Sequence, residues 1–149
     1  MRIIVQRALD AKCVVDNKVV GAIEKGFMLL VGFTDSDSIN EIKLLARKVA
    51  GLRIFEDEMG KLNKSIKDIN GQILAISQFT LYADCKKGNR PSFIEAMDFD
   101  SASKMFDIFV EELRTYDIVV STGVFGADMK ISFTNVGPTT IILDSKDLK

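Results

Sequence analysis

The sequence predicts a mixed α/β fold: a curled, barrel-like, mostly antiparallel β-sheet with two helices packed outside. Three observations lead there. About eight strand-like segments stand against two helical ones, and they do not alternate one for one as a doubly wound fold would require. The longest apolar runs have strand length, none approaching the roughly 20 residues that span a membrane. At 149 residues, with 47% hydrophobic and 28% charged side chains, the chain has the size and composition of a single domain, residues 1–149.

Taken in order, residues 1–9 and 11–15 read as two strands, followed by a turn at Asp16-Asn17 and a third strand from Lys18 to Ile23. Gly26 to Phe33 is continuously apolar and suits a strand covered on both faces. Thr34-Asp35-Ser36-Asp37-Ser38 offers several helix N-caps. Ile42, Leu45, Ala46 and Val49 then recur at helical spacing, with Gly51 as a stop. A calcium loop starting at Asp35 is excluded, because Asn40 and Ala46 stand where it needs glycine and the bidentate acid. Leu52-Arg53-Ile54-Phe55 reads as a strand, Glu56 to Lys61 as an exposed turn, and Leu62 leads back into the sheet. Ile73-Leu74-Ala75-Ile76 is a buried strand ending in the polar Ser77-Gln78-Phe79-Thr80. A loop with three cations, Lys86, Lys87 and Arg90, follows. Asp100 can cap a second helix with an apolar face of Ala102, Met105, Phe106, Phe109, Val110 and Leu113. Strands at Ile118–Ser121, Met129–Asn135 and Thr139–Asp144 complete the chain.

Composition removes several chemistries. Histidine is absent, which excludes imidazole-based catalytic triads and the common zinc sites. Cys13 and Cys85 form no metal-ligand or redox spacing. A net charge of −1 argues against a broad nucleic-acid-binding face but not against a small patch gripping one RNA end. The start, Met1 to Arg7, reads as a strand and lacks the pattern of a signal peptide, so a cytoplasmic location is expected. Ser101-Ala102-Ser103-Lys104 matches Ser-x-x-Lys, but it opens a helix and its companion motifs are missing.

Two polar segments remain. Ser77-Gln78-Phe79-Thr80 either closes a turn through its own hydrogen bonds or offers polar groups to a ligand. Asn135-Val136-Gly137-Pro138-Thr139-Thr140 reads locally as a rigid turn between strands.

Ser77-Gln78-Phe79-Thr80-Leu81, Gly88-Asn89-Arg90-Pro91-Ser92-Phe93, Thr122 to Met129, and Asn135-Val136-Gly137-Pro138 occur in the order seen in D-aminoacyl-tRNA deacylases, which the opening Met1 to Arg7 also resembles. The resemblance covers the whole chain. The family's usual Gly-Pro-Val-Thr reads Gly137-Pro138-Thr139-Thr140 here, an isosteric change that adds a hydroxyl. The resemblance implies hydrolysis of the ester joining a D-amino acid, or glycine, to the terminal adenosine of tRNA, with D-aminoacyl-tRNA and glycyl-tRNA as partners and no cofactor or metal. It places Ser77, Gln78, Phe79 and Thr80 in the catalytic pocket. It also implies a homodimer in which Gly137 and Pro138, joined by a cis bond, reach into the partner's pocket and are held by Arg7. Phe125, Gly126 and Met129 match positions near the adenosine, and Lys86, Lys87 and Arg90 either touch acceptor-stem phosphates or face solvent. A binding module for a nucleotide or RNA end, and a purely structural dimerisation domain, are the competing readings.

Overall fold

The structure, a computed structural model, describes residues 1–148. Its elements are β1 (Arg2–Val15), β2 (Lys18–Gly32), α1 (Ile39–Gly51), β3 (Phe55–Glu56), β4 (Leu62–Lys64), β5 (Gln72–Ser77), α2 (Phe99–Arg114), β6 (Val119–Thr122) and β7 (Lys130–Asp144), with a 3₁₀ turn at Phe79–Tyr82. Five strands form one mixed sheet in the order β6-β5-β2-β1-β7, and β3 pairs with β4 separately. The long β1–β2 and β1–β7 ladders are antiparallel, whereas the shorter β2–β5 and β5–β6 ladders are parallel. By length the sheet is therefore mostly antiparallel.

Three breaks expected from the sequence turn out to be bends inside continuous strands. Asp10 takes a φ of 51°, yet β1 stays paired with β2 on both sides of it, from Leu9 opposite Lys25 to Ala11 opposite Ile23. Gly26, at φ 150°, likewise lies within β2 opposite Ala8. The Asn135–Thr140 segment interrupts the pairing of β7 without ending the strand. Ladder hydrogen bonds on either side carry each strand through its irregularity, and residue patterns cannot show that. The tight turn between β1 and β2 is where expected, with Asp16 and Asn17 at φ 49° and 64°, the left-handed pair that a two-residue hairpin needs.

The bends curl the sheet. The first half of β2 swings round to β6, where Ser121 Oγ donates to the Ala22 carbonyl at 3.2 Å. A Cβ on Gly21 would lie only 2.3 Å from the Thr122 carbonyl oxygen, so this near-closure of the barrel depends on a residue without a side chain.

Both faces of the sheet are covered in the middle. One carries the main core, in which Ile3, Val5, Phe27, Leu29, Ile73 and Ala75 meet the buried stripes of the two helices. Phe27 also stacks on Phe55 with ring centroids 5.2 Å apart. The inside of the curl holds a smaller core of Ala8, Ala11, Cys13, Ile23, Met28, Leu74 and Ile76. Burial there pushes the Cys13 thiol pKa up.

α1 starts in a capping box: Ser38 accepts from the chain at its first turn while Glu41 reaches back to the Ser38 N–H. Its apolar face is the expected one, with Ile42, Leu45, Ala46 and Val49 buried. For α2 the cap is Asp98, two residues before the expected Asp100. The Asp98 carboxylate accepts from Ser101 N–H at 3.0 Å, and hydrogen bonding from Ser101 holds its pKa below the usual value. The strand expected at Leu52–Phe55 shrinks to Phe55–Glu56, because in the short hairpin only Phe55 and Glu56 find partners, opposite Lys64 and Leu62.

Gly21→Ala should lower stability by about 1–3 kcal/mol, the usual cost of overpacking. Gly51→Ala, with open space around its Cβ in an exposed helical turn, should raise it by about 0.5–1 kcal/mol. Urea midpoints of the two variants beside the parent would check both; a Gly21→Ala midpoint at or above the parent's would mean that β2 and β6 are not in contact.

Candidate active site

The parallel strands β2 and β5 end side by side, and a cavity of about 490 Å³ opens beyond their carboxyl ends, where open α/β sheets commonly bind ligands. Val31, Gly32 and Phe33 form one wall and Ile76, Ser77, Gln78 and Phe79 another. Met97, Phe99 and Ala102 from the start of α2 and Phe125, Gly126, Ala127, Met129 and Ile131 complete it. No lining residue is ionisable. The lining is apolar apart from Ser77, Gln78 and backbone groups, which suits an uncharged ligand group oriented by a few hydrogen bonds.

The polar end is held by the sheet itself. Gln78 N–H donates to the Val31 carbonyl at 2.7 Å, extending the β2–β5 pairing one residue past Ser77. The chain then tightens into the 3₁₀ turn, where Leu81 N–H returns to the Gln78 carbonyl at 3.3 Å. Neither Phe79 N–H nor Thr80 N–H finds an acceptor among the described residues, as expected of the first donors of a helical turn. Gln78 Nε2 donates to Thr80 Oγ1, a side-chain contact within the motif rather than the hydroxyl-to-backbone bond that the turn reading expected. The Phe79 ring is 55% exposed and meets Phe93 edge-on, with centroids 5.0 Å apart. Behind the turn, Tyr82 is buried and its hydroxyl has no partner among the described residues. Burial pushes that hydroxyl's pKa well above the usual tyrosine value, with Asp37 and Asp144 adding to the rise, so it carries no charge near neutral pH.

The structure brings Ser77, Gln78, Phe79, Phe125, Gly126 and Met129 to this one cavity. Thr80 lies beside it through Gln78. Arg7, Gly137 and Pro138 do not line it; they form a second assembly at the β1–β7 edge of the sheet. Gln6 faces Thr140 and Ala8 faces Asn135, so Val136, Gly137, Pro138 and Thr139 together stand opposite Arg7 alone. Gly137 and Pro138 are exposed, their peptide bond is cis as the resemblance implies, and Gly137 takes a φ of 119°.

Arg7 is only 7% exposed and sits directly beneath this detour. Its Nε donates to the Val136 carbonyl at 3.2 Å, one terminal nitrogen donates to the Ile54 carbonyl at 3.1 Å, and Glu56 lies 3.9 Å away. A Cβ on Gly137 would come within 3.0 Å of the same guanidinium. A buried guanidinium needs such partners, and here they tie the detour to the β3 segment.

Sequence reasoning missed Phe99, Met97 and Phe33 as walls of the cavity. A cap at Asp100 puts Phe99 outside α2; Asp98, three residues before Ser101, was the available signal. The Phe99 ring meets Phe125 edge-on at 5.0 Å. Met97 and Phe33 look like ordinary core residues in sequence; in the fold Phe33 follows the end of β2, and Met97 N–H donates to its carbonyl at 3.0 Å.

The fold and cavity define a curled-sheet protein with a neutral, mostly apolar pocket at a strand end. The chain belongs to the D-Tyr-tRNA(Tyr) deacylase family, whose model matches residues 4–144. A D-aminoacyl-tRNA deacylase of Clostridium novyi (strain NT) is 53% identical over 146 residues, 98% of either chain. One from Anoxybacillus flavithermus (strain DSM 21510 / WK1) is also 53% identical, over 98% of this chain and 100% of its own. Among solved structures, the c-Myc DNA Unwinding Element Binding Protein superposes with a TM-score of 0.90 at 38% identity, covering 97% of this chain and 98% of that one. A probable eukaryotic D-amino acid tRNA deacylase shares the fold with a TM-score of 0.83 at 18% identity, covering 95% and 97%.

Proposed function

We propose that this chain hydrolyses the ester joining a D-amino acid, or glycine, to the 3′-terminal adenosine of tRNA and spares L-aminoacyl-tRNA, acting in the cytoplasm as a homodimer. The observation that carries the reading is the polar end of the cavity. There the Ser77-Gln78-Phe79-Thr80 turn leaves the Phe79 and Thr80 backbone N–H groups without partners among the described residues, Phe79 in the wall of a neutral, apolar pocket and Thr80 next to it. In this reading Phe125, Gly126 and Met129 receive the adenosine, and the ester carbonyl lies at the strand end, its oxygen accepting from Phe79 and Thr80 N–H.

An aminoacyl ester is an activated bond, so positioning and oxyanion stabilisation can supply much of the rate; one well-placed donor is worth about 10²–10³ in kcat. Water attacks the carbonyl carbon, the bond to the ribose 3′-oxygen breaks, and that oxygen leaves with a proton relayed through the neighbouring 2′-hydroxyl. The step uses no cofactor and no metal ion. Thr80 is not the nucleophile in this scheme, because no ionisable side chain lines the cavity to take its proton.

Chiral selection falls to the second assembly. Gly137 and Pro138 are exposed on the edge strand, away from their own chain's cavity, and in a homodimer they would enter the partner's. The row of Leu30, Ile4 and Ile142 across the sheet, with Ile142 well exposed, supports such a partner. Backbone placed across the α-carbon leaves room for hydrogen on one side only, and no rotamer change relieves the clash with an L-side chain.

Incubation with radiolabelled D-tyrosyl-tRNA tests the reading: free D-tyrosine should appear, and L-tyrosyl-tRNA should persist. A protein that only protects the ester would be a binding module instead. Thr80→Ala should keep activity within about tenfold of the parent, since it removes no base or nucleophile; a drop of several orders of magnitude with tRNA binding intact would make Thr80 the nucleophile. Arg7→Ala, which frees the Gly137-Pro138 segment, should admit L-substrates before D-activity is lost. A variant that folds and stays strictly D-selective would show that the segment does not select.

A further inference from the structure

The loop after the 3₁₀ turn is a built projection. Asp84 and Ser92 pair through both backbone hydrogen bonds, at 2.8 and 2.9 Å, closing a finger of residues 85–91. Asp84 also caps it from inside, its carboxylate accepting from Lys86 N–H at 2.9 Å. Immediately beyond the closing pair, Phe93 packs against Phe79 at the cavity wall. The finger is therefore fixed relative to the polar end of the pocket at its base.

Its tip has a charge the rest of the molecule lacks. Between the closing residues stand Lys86, Lys87 and Arg90 and no acid, on a chain of net charge −1. All three are exposed, and none is in an ion pair among the described residues. The Asp84 carboxylate at the finger's base already serves the backbone. Exposed, unpaired cations on a loop anchored beside a pocket fit a polyanion whose end occupies that pocket.

We infer that the Lys86–Arg90 finger grips the phosphodiester backbone of the RNA strand whose 3′-terminal nucleoside occupies the cavity, an inference that rests on the function proposed above. Phosphate contact supplies affinity and register without reading sequence, so the grip serves any tRNA presenting the same end. It is separable from the pocket: a substrate reduced to an aminoacyl-adenosine has no phosphate for the finger to hold.

The test compares the parent with Lys86→Gln/Lys87→Gln/Arg90→Gln, and with a charge-preserving Lys86→Arg/Lys87→Arg/Arg90→Lys chain. On D-tyrosyl-tRNA near physiological salt, the neutral variant should lose on the order of tenfold or more in kcat/KM, mainly through KM. Its dependence of log affinity on log salt should be shallower by about 2, from three contacts at about 0.7 each for single-stranded nucleic acid. The charge-preserving chain should behave as the parent, and hydrolysis of D-tyrosyl-adenosine should be the same for all three. An unchanged KM and salt slope in the neutral variant, or an equal loss on D-tyrosyl-adenosine, would overturn the inference. Binding of uncharged tRNA, followed by fluorescence anisotropy against salt, reads the finger without catalysis. If the parent hydrolyses nothing, the proposed function fails, while the salt slopes still decide whether the finger holds RNA.

Discussion

The parallel pairing of β5 with β2 is the constraint on which the functional end depends. β5 is buried on both faces, with Ile73, Leu74, Ala75 and Ile76 all but inaccessible, so its backbone must be fully paired within the protein. Pairing with β2 along its whole length and with β6 from Gln72 to Ala75 does most of this, and the Gln78 N–H to Val31 bond continues the β2 side past the strand's last residue. The polar segment is thus delivered to the cavity by hydrophobic burial upstream rather than by its own contacts. Both helices serve the same end: they cover one face of the strands, and α2 contributes Phe99 and Ala102 to the cavity wall.

Arg7 plays the corresponding part on the other side. Along β1, Ile3, Val5 and Arg7 share a face, and the first two are core. An apolar residue at position 7 would extend that core. An arginine instead places a buried charge that only carbonyls and a carboxylate can satisfy, and the detour of β7 and the end of the Ile54 segment provide them. One buried cation therefore organises two otherwise irregular stretches. Removing it would leave both carbonyls short of a donor, a cost of about 1–3 kcal/mol for each buried group left unsatisfied.

Much of this was legible in the residue pattern. The 3.6-residue spacing of Ile42, Leu45, Ala46 and Val49, and of Ala102, Phe106, Phe109 and Leu113, marks both helices and their buried faces. Asp16-Asn17 marks the hairpin, and the apolar run before Ser77 marks the central strand. The four motifs together pointed to the family, and two of them, Ser77–Leu81 and Thr122–Met129, to residues that meet in the cavity. What misled were irregularities within elements: Asp10, Gly26 and Gly137 look like strand ends but are bends that neighbouring ladders carry through.

The sequence by itself determined the local matters: which segments could be strands or helices, which faces were apolar, and, through the absence of histidine, that imidazole catalysis is impossible. These follow from side-chain periodicity and chemistry within a few residues. Only the tertiary structure decided that β5 runs parallel to β2, that Phe33, Met97 and Phe99 join Ser77 and Gln78 around one cavity, and that Arg7 and Gly137, expected together from the sequence, stay out of that cavity's lining. The reason is that these contacts join residues far apart in the chain, and strand order and direction are chosen by which arrangement buries every apolar face while leaving no interior backbone group unpaired.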